Sequence, residues 1–271
     1  MHPHLMSMDK SLTARLHRFA RARFSPEEAF GLHLTVGVLV LVLAMTGFAR
    51  IAGAVVAGAP ITQIDVDLAN WLHAHAHGND VLRSSLMVLT QLHSTPGVLA
   101  LTGLAGWWLV RRGARHWMLT ILVTVPGGMI LNVLMKHTFE RARPHFEEPI
   151  LTLTTYSFPS GHTVAATLLY GFLACYLVRH ARSWQARAGW VLLACVMVLL
   201  VAGSRLYLGA HYLSDVLAAM AEGCAWLSVC VTGVATLRRR QAAQAARAAG
   251  TAHAADAACA QSASINPSEK D

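Results

Sequence analysis

Six stretches of the chain are apolar over about 20 residues, the length that crosses the hydrocarbon of a bilayer, and short polar segments separate them. They run from about 33 to 57, 86 to 110, 117 to 136, 161 to 179, 189 to 207 and 213 to 237. Each reads as a helix, because lipid offers the backbone no hydrogen-bonding partner and a spanning segment must satisfy its own groups. The expected fold is all-α, a six-transmembrane-helix bundle covering 31–240. Pro96-Gly97 lies inside the second stretch, where a bend is tolerable if neighbouring helices cover the freed backbone groups. Pro126-Gly127-Gly128, in the third, points to close helix packing.

Charge orients this pattern. Arg111, Arg112 and Arg115, then Arg179, Arg182 and Arg187, then Arg238, Arg239 and Arg240 fall in alternate connections, as loops held on the cytoplasmic side do. Residues 1–30 form a basic arm, with Lys10, Arg15, Arg18, Arg21 and Arg23 interleaved with Leu16, Phe19 and Phe24. Both termini are therefore expected inside, and the Ala/Gln-rich stretch 241–271 is expected to be disordered or a frayed helix. The segment 58 to 85 carries Asp65, Asp67 and Asp80 and no Lys or Arg before Arg83, which places it outside. Ile61, Ile64, Leu68, Trp71 and Leu72 recur there at helical spacing, which predicts a short amphipathic helix on the outer face. His73, His75 and His77 alternate at i, i+2 and do not converge on one helix face, so they read as exposed loop histidines and not as a metal site.

Composition agrees with this reading. The 271 residues are 55% hydrophobic and only 13% charged, which suits a multi-span membrane protein. A net charge of +8 could suggest a nucleic-acid partner, but its confinement to loops argues against one. Four of the five cysteines lie in apolar segments and none forms a C-x2-C pair, so neither a zinc site nor a disulfide framework is expected.

Three polar clusters interrupt the apolar pattern at segment ends. They are Lys136 to Pro144, Pro159-Ser160-Gly161-His162, and Ser204-Arg205 followed by His211 and Asp215. Ionisable groups at a membrane edge are costly and suggest function. Arg141 and Arg143 also break the positive-inside trend, since their loop is an outer one. Lys136, Arg143 and Arg205 suit a phosphate: Arg offers a planar fork and Lys a point charge. Arg83 and Arg141, in contrast, read as side chains snorkelling to headgroups. Ser160 and Gly161 sit where the fourth helix begins, and its unpaired amides and positive dipole end favour an anion. If His211 and Asp215 open the last span, their i, i+4 spacing puts them on one face. The carboxylate can then hold one ring nitrogen and leave the other free, as in an activated nucleophile.

Together the clusters resemble the signature of the type 2 phosphatidic acid phosphatase (lipid phosphate phosphatase) superfamily, K-x6-R-P, P-S-G-H and S-R-x5-H-x3-D, with every named position filled. The resemblance implies a membrane hydrolase of the bacterial branch, in the inner membrane, with its active site on the periplasmic face. By the same resemblance His211 attacks phosphorus and forms a phosphohistidine, Asp215 assists it, and His162 protonates the leaving oxygen. Lys136, Arg143, Ser160, Gly161 and Arg205 hold the phosphate, with no cofactor and no metal. The implied partner is a phosphorylated lipid of the undecaprenyl pyrophosphate, phosphatidylglycerophosphate, phosphatidic acid or lipid A phosphate type. Two rivals are a lipid-to-lipid phosphotransferase, which would carry the same clusters, and a transporter or binding protein that holds phosphate without cleaving it. The His211–Asp215 pairing and the lack of an internal repeat argue against the second.

Overall fold

The structure, a computed structural model, describes residues 32–76 and 78–265, with side chains described as far as Thr251. The basic arm and His77 lie outside the described residues. Among these residues the chain forms eight helices and no strand. They are α1 (Leu32–Val56), α2 (Ile61–Ala76), α3 (Asp80–Leu92), α4 (Thr95–Arg111), α5 (Arg115–Phe139), α6 (Gly161–His180), α7 (Trp184–Tyr207) and α8 (Leu213–Ile265). The chain divides into two compact units. Gly37–Val231 holds the bundle and the site. In the other, Thr236 Oγ1 lies 3.4 Å from His33 Nε2, and α8 continues as helix through the Ala/Gln-rich stretch to Ile265.

The helix α6 is the axis of the larger unit. Val164, Leu168, Phe172 and Tyr176 are buried against Val98 and Leu109 of α4, Ile121 and Val125 of α5, and Ala219 of α8. A helix apolar on most of its circumference belongs inside a bundle. Aromatic edges close the cluster, Trp117 meeting Phe172 and Tyr176 with ring centroids 5.6 and 5.3 Å apart. Small residues let the helix backbones approach. A Cβ on Gly128 would lie 2.3 Å from Leu168 Cδ1, and one on Gly223 2.8 Å from Thr167 Cβ, so the Pro126-Gly127-Gly128 segment is a packing surface.

Among the described residues five helices, α1, α5, α6, α7 and α8, are long and apolar enough to cross a membrane. The expected second span is where the structure differs. In place of one bent helix over 86 to 110, the chain breaks at His93-Ser94 into α3 and α4. Pro96 in the first turn of α4 has no amide to give the carbonyl of Leu92 four residues back, and in a continuous helix its ring would clash with that carbonyl. Gly97 presses on the end of α3, where a Cβ would sit 2.3 Å from Leu92 O. The remaining α4 has 17 residues, a length of about 26 Å at 1.5 Å per residue.

Candidate active site

The site forms where two connections meet at one end of the bundle. After α5 the chain turns at Glu140, whose φ of 45° ends the helix, and runs without regular structure to Ser160 at the start of α6. After α7 it turns through Gly209, at φ +67°, where a Cβ would lie 2.8 Å from Phe146 Cε2. The two connections are tied together, because Ser160 N donates to Asp215 O at 3.2 Å and Arg143 Nη1 to Ala210 O at 2.6 Å.

Between them lies a cavity of about 470 Å³ lined by Lys136, Arg143, Gly161, His162, Arg205 and His211. Six of the eight residues singled out in the sequence thus face one space. Ser160 and Asp215 are fully buried behind it, and Ser160, at the N-cap of α6, makes no side-chain capping bond but accepts from Thr163 Oγ1 at 3.0 Å. A second wall is apolar, made by Leu99 of α4 and by Pro126, Met129, Ile130 and Val133 of α5.

The cations are held by neutral groups. Lys136 Nζ donates to Tyr156 O at 2.6 Å, Arg143 to Thr155 O at 2.6 Å and Thr155 Oγ1 at 2.8 Å, and Arg205 Nη1 to Thr90 Oγ1 at 2.9 Å. Among the described residues none of the three has a carboxylate within 4.0 Å. Arg205 is only 2% exposed and its Nε has no partner among those residues. Burying an uncompensated charge is strongly unfavourable, so this arrangement is one that an anion in the cavity stabilises.

The last helix begins at Leu213, as expected, so His211 precedes it by two residues and Asp215 lies in its first turn. The pairing survives: His211 Nδ1 faces Asp215 Oδ2 at 3.5 Å. Arg143 Nη1 lies 3.3 Å from His211 Nε2. A guanidinium has only donors, so Nε2 carries the lone pair and Nδ1 the proton. Burial pushes the imidazole down to about 3, against the opposing pull of Asp215, which leaves it neutral near pH 7. Between about 3 and the unfolded value near 6.5 the unfolded chain therefore binds the additional proton, and stability falls as pH drops through that window. On going from about pH 7 to about pH 4, wild type is expected to lose ~3 kcal/mol more than His211→Asn. Thermal unfolding in detergent at the two pH values checks this; equal losses would show that His211 is not buried neutral.

Residues 116–239 match the PAP2 superfamily, and all eight singled-out residues lie within the match. This segment belongs to the PAP2 superfamily. The chain is 36% identical over 106 residues to phosphatidylglycerophosphatase B of Bacillus subtilis, covering 39% of this chain and 52% of that protein. The match thus spans about half that relative's length. It is 29% identical over 153 residues to undecaprenyl-diphosphatase BcrC of the same organism, covering 55% and 73%. Its fold is similar to the crystal structure of a transmembrane PAP2 type phosphatidylglycerolphosphate phosphatase from Bacillus subtilis, with a TM-score of 0.64 at 25% identity over 70% of this chain and 94% of that one. Long apolar helices and membrane PAP2 relatives together make this a multi-pass membrane protein.

The PAP2 clusters do not account for every polar group gathered here. Arg141, expected to snorkel, instead pairs with Asp215 at 2.6 Å and Asp65 at 2.8 Å and stacks over the Tyr212 ring at 4.4 Å. Those two carboxylates raise its pKa despite the opposing effect of burial. Glu222 was also missed, although an acid inside an apolar span is itself a pointer. Its Oε2 accepts from Asn132 Nδ2 at 3.0 Å, one turn below Lys136, and Asn132 also reaches Pro159 O at 3.5 Å. Of the histidine run, His73 stacks on Phe146 with centroids 3.9 Å apart and His75 Nδ1 bonds Trp71 O at 2.7 Å.

Proposed function

We propose that the protein is an integral membrane lipid phosphatase that hydrolyses a phosphate or pyrophosphate headgroup through a phosphohistidine. The observation that carries this reading is the three carboxylate-free cations that line one cavity with His211, Arg143 lying beside its Nε2, opposite an apolar wall. Phosphoryl transfer needs mainly positioning and charge stabilisation, and Lys136, Arg143 and Arg205 supply both. Nε2 attacks phosphorus as the P–O bond to the lipid breaks, and His162 gives its proton to the leaving oxygen. Asp215 stabilises the proton that stays on Nδ1. Neutral His162 then takes a proton from water, whose oxygen displaces Nε2 and releases inorganic phosphate. The first turn of α6, at Gly161, presents unpaired amides to the phosphoryl oxygens.

The wall formed by Leu99, Met129, Ile130 and Val133 gives the lipid tail a path between α4 and α5. With α4 as a sixth span, the site lies at the outer face of the inner membrane and both termini lie in the cytoplasm. The names of the relatives support a lipid phosphate as substrate, and isoprenoid pyrophosphate is the favoured class. Purified protein in detergent, assayed for phosphate release from undecaprenyl pyrophosphate, phosphatidylglycerophosphate, phosphatidic acid and a lipid A phosphate, tests the reading; binding without release from any of them would replace it with a transport function. Because side-chain cations take the neutralising role, excess EDTA is expected to leave the rate unchanged. Loss with EDTA and recovery with a divalent ion would overturn the mechanism.

A further inference from the structure

Asp65 lies on α2, which contributes no residue to the cavity wall, yet its carboxylate is fully buried and engaged at both oxygens. Oδ1 accepts from Ser214 N at 2.8 Å, and Oδ2 accepts from Arg141 Nη2 at 2.8 Å and from Ser214 Oγ. The other arm of the guanidinium, Nη1, donates to Asp215 Oδ1 at 2.6 Å and to Ser214 Oγ at 2.7 Å. One cation therefore joins two carboxylates, one on α2 and one in the first turn of α8. Asp215 Oδ2 is left for Ser157 Oγ, for Tyr212 N at 2.8 Å and for the His211 ring.

This division of labour follows from the preference of arginine for a two-pronged grip on a single carboxylate. With both arms free, Arg141 would draw both oxygens of Asp215 and take Oδ2 away from His211. Asp65 occupies one arm, so Asp215 is held by one oxygen only. The same carboxylate fixes Ser214, the neighbour of Asp215, through its amide and its hydroxyl. On the amphipathic α2, Ile64 and Trp71 are exposed while Asp65 and Ala69 are buried, so the inward face of this helix is the one that carries the acid.

We propose that Asp65 is a positioning residue: acting through Arg141 and Ser214, it sets the orientation of Asp215 and thereby of His211, which makes α2 part of the catalytic apparatus. The inference rests on the phosphatase reading above. Asp65→Asn keeps the shape but removes the charge that holds the second arm. It is expected to lower kcat about 10- to 100-fold, the range for partners that orient a catalytic ligand, and to leave KM within about threefold because the cavity cations are untouched. Asp65→Glu is expected to recover part of the lost kcat. Arg141→Gln added to Asp65→Asn is expected to cost little beyond the worse single change, since both act on one linkage.

The test is steady-state phosphate release in detergent by wild type, the single variants and the double variant, on the lipid that wild type turns over best. Folded Asp65→Asn with wild-type kcat, or single losses that multiply in the double variant, would overturn the inference and leave the phosphatase reading intact. Wild type inactive on every lipid would overturn both. If Asp65→Asn does not fold, Arg141→Lys carries the test, because an ammonium keeps the charge without the two-armed planar grip. It is expected to show the same fall in kcat at unchanged KM, and wild-type kcat in that variant would equally overturn the inference.

Discussion

His211→Ala is expected to abolish phosphate release, by about 10⁴-fold or more, the scale of removing a nucleophile that acts as part of a unit. The size follows from the geometry. His211 is 2% exposed and its Nε2 lone pair lies in the cavity beside Arg143. Among the described residues no second imidazole bonds Asp215 to replace it, the other groups within reach of that carboxylate being Ser157, Tyr212 N and Arg141. The cations remain in place, so substrate binding is expected to survive and the loss to fall on kcat. Brief incubation with a lipid labelled in its terminal phosphate should mark wild type and leave His211→Ala unmarked. The label should be lost in acid and kept in alkali, as a phosphorus–nitrogen bond requires. A variant that released phosphate at the wild-type rate would end the nucleophile assignment and the mechanism built on it.

Much of this architecture was legible in the chain because lipid imposes a simple rule. A backbone that must satisfy its own hydrogen bonds makes long apolar runs into helices, and α1, α5, α6 and α7 begin and end within about five residues of the expected bounds. The break at His93-Ser94 was less legible. Pro96 could bend a helix or start one, and the outcome lies in the local backbone turn at His93-Ser94, which brings Gly97 against the carbonyl of Leu92. The site divides in the same way. Lys136, Arg143, His162, Arg205 and His211 face a shared space and sit in recognisable spacings. Asp65, Arg141 and Glu222 act through partners 74 to 149 residues away, at Ser214, Asp215 and Asn132, and local spacing carries no information about such pairs. Asp65 marked only which side of the membrane its segment occupied, because the helical spacing of Ile61, Ile64, Leu68 and Trp71 locates an apolar stripe and does not say which distant partner a carboxylate on the same helix meets.

The second large effect concerns His162, on the first turn of α6 beside Gly161, where a Cβ would come within 3.2 Å of Asn132 Oδ1. His162→Gln is expected to slow phosphate release from a lipid about 10²- to 10⁴-fold, the usual worth of a positioned acid. The two half-reactions should respond differently when the leaving group changes. An alkoxide needs the proton that His162 gives it, whereas a nitrophenolate leaves without help. With an alkyl-tailed nitrophenyl phosphate, His162→Gln should therefore still phosphorylate His211 quickly. Breakdown of the phosphohistidine needs a base for water whatever the first leaving group was, and it should stay slow. The variant should accordingly release a burst of about one nitrophenolate per protein and then turn over slowly, the kinetic mark of an accumulating covalent intermediate. Equal losses on both substrates with no burst would mean that His162 shapes the cavity and transfers no proton, and the acid would have to be sought among the other groups that line it.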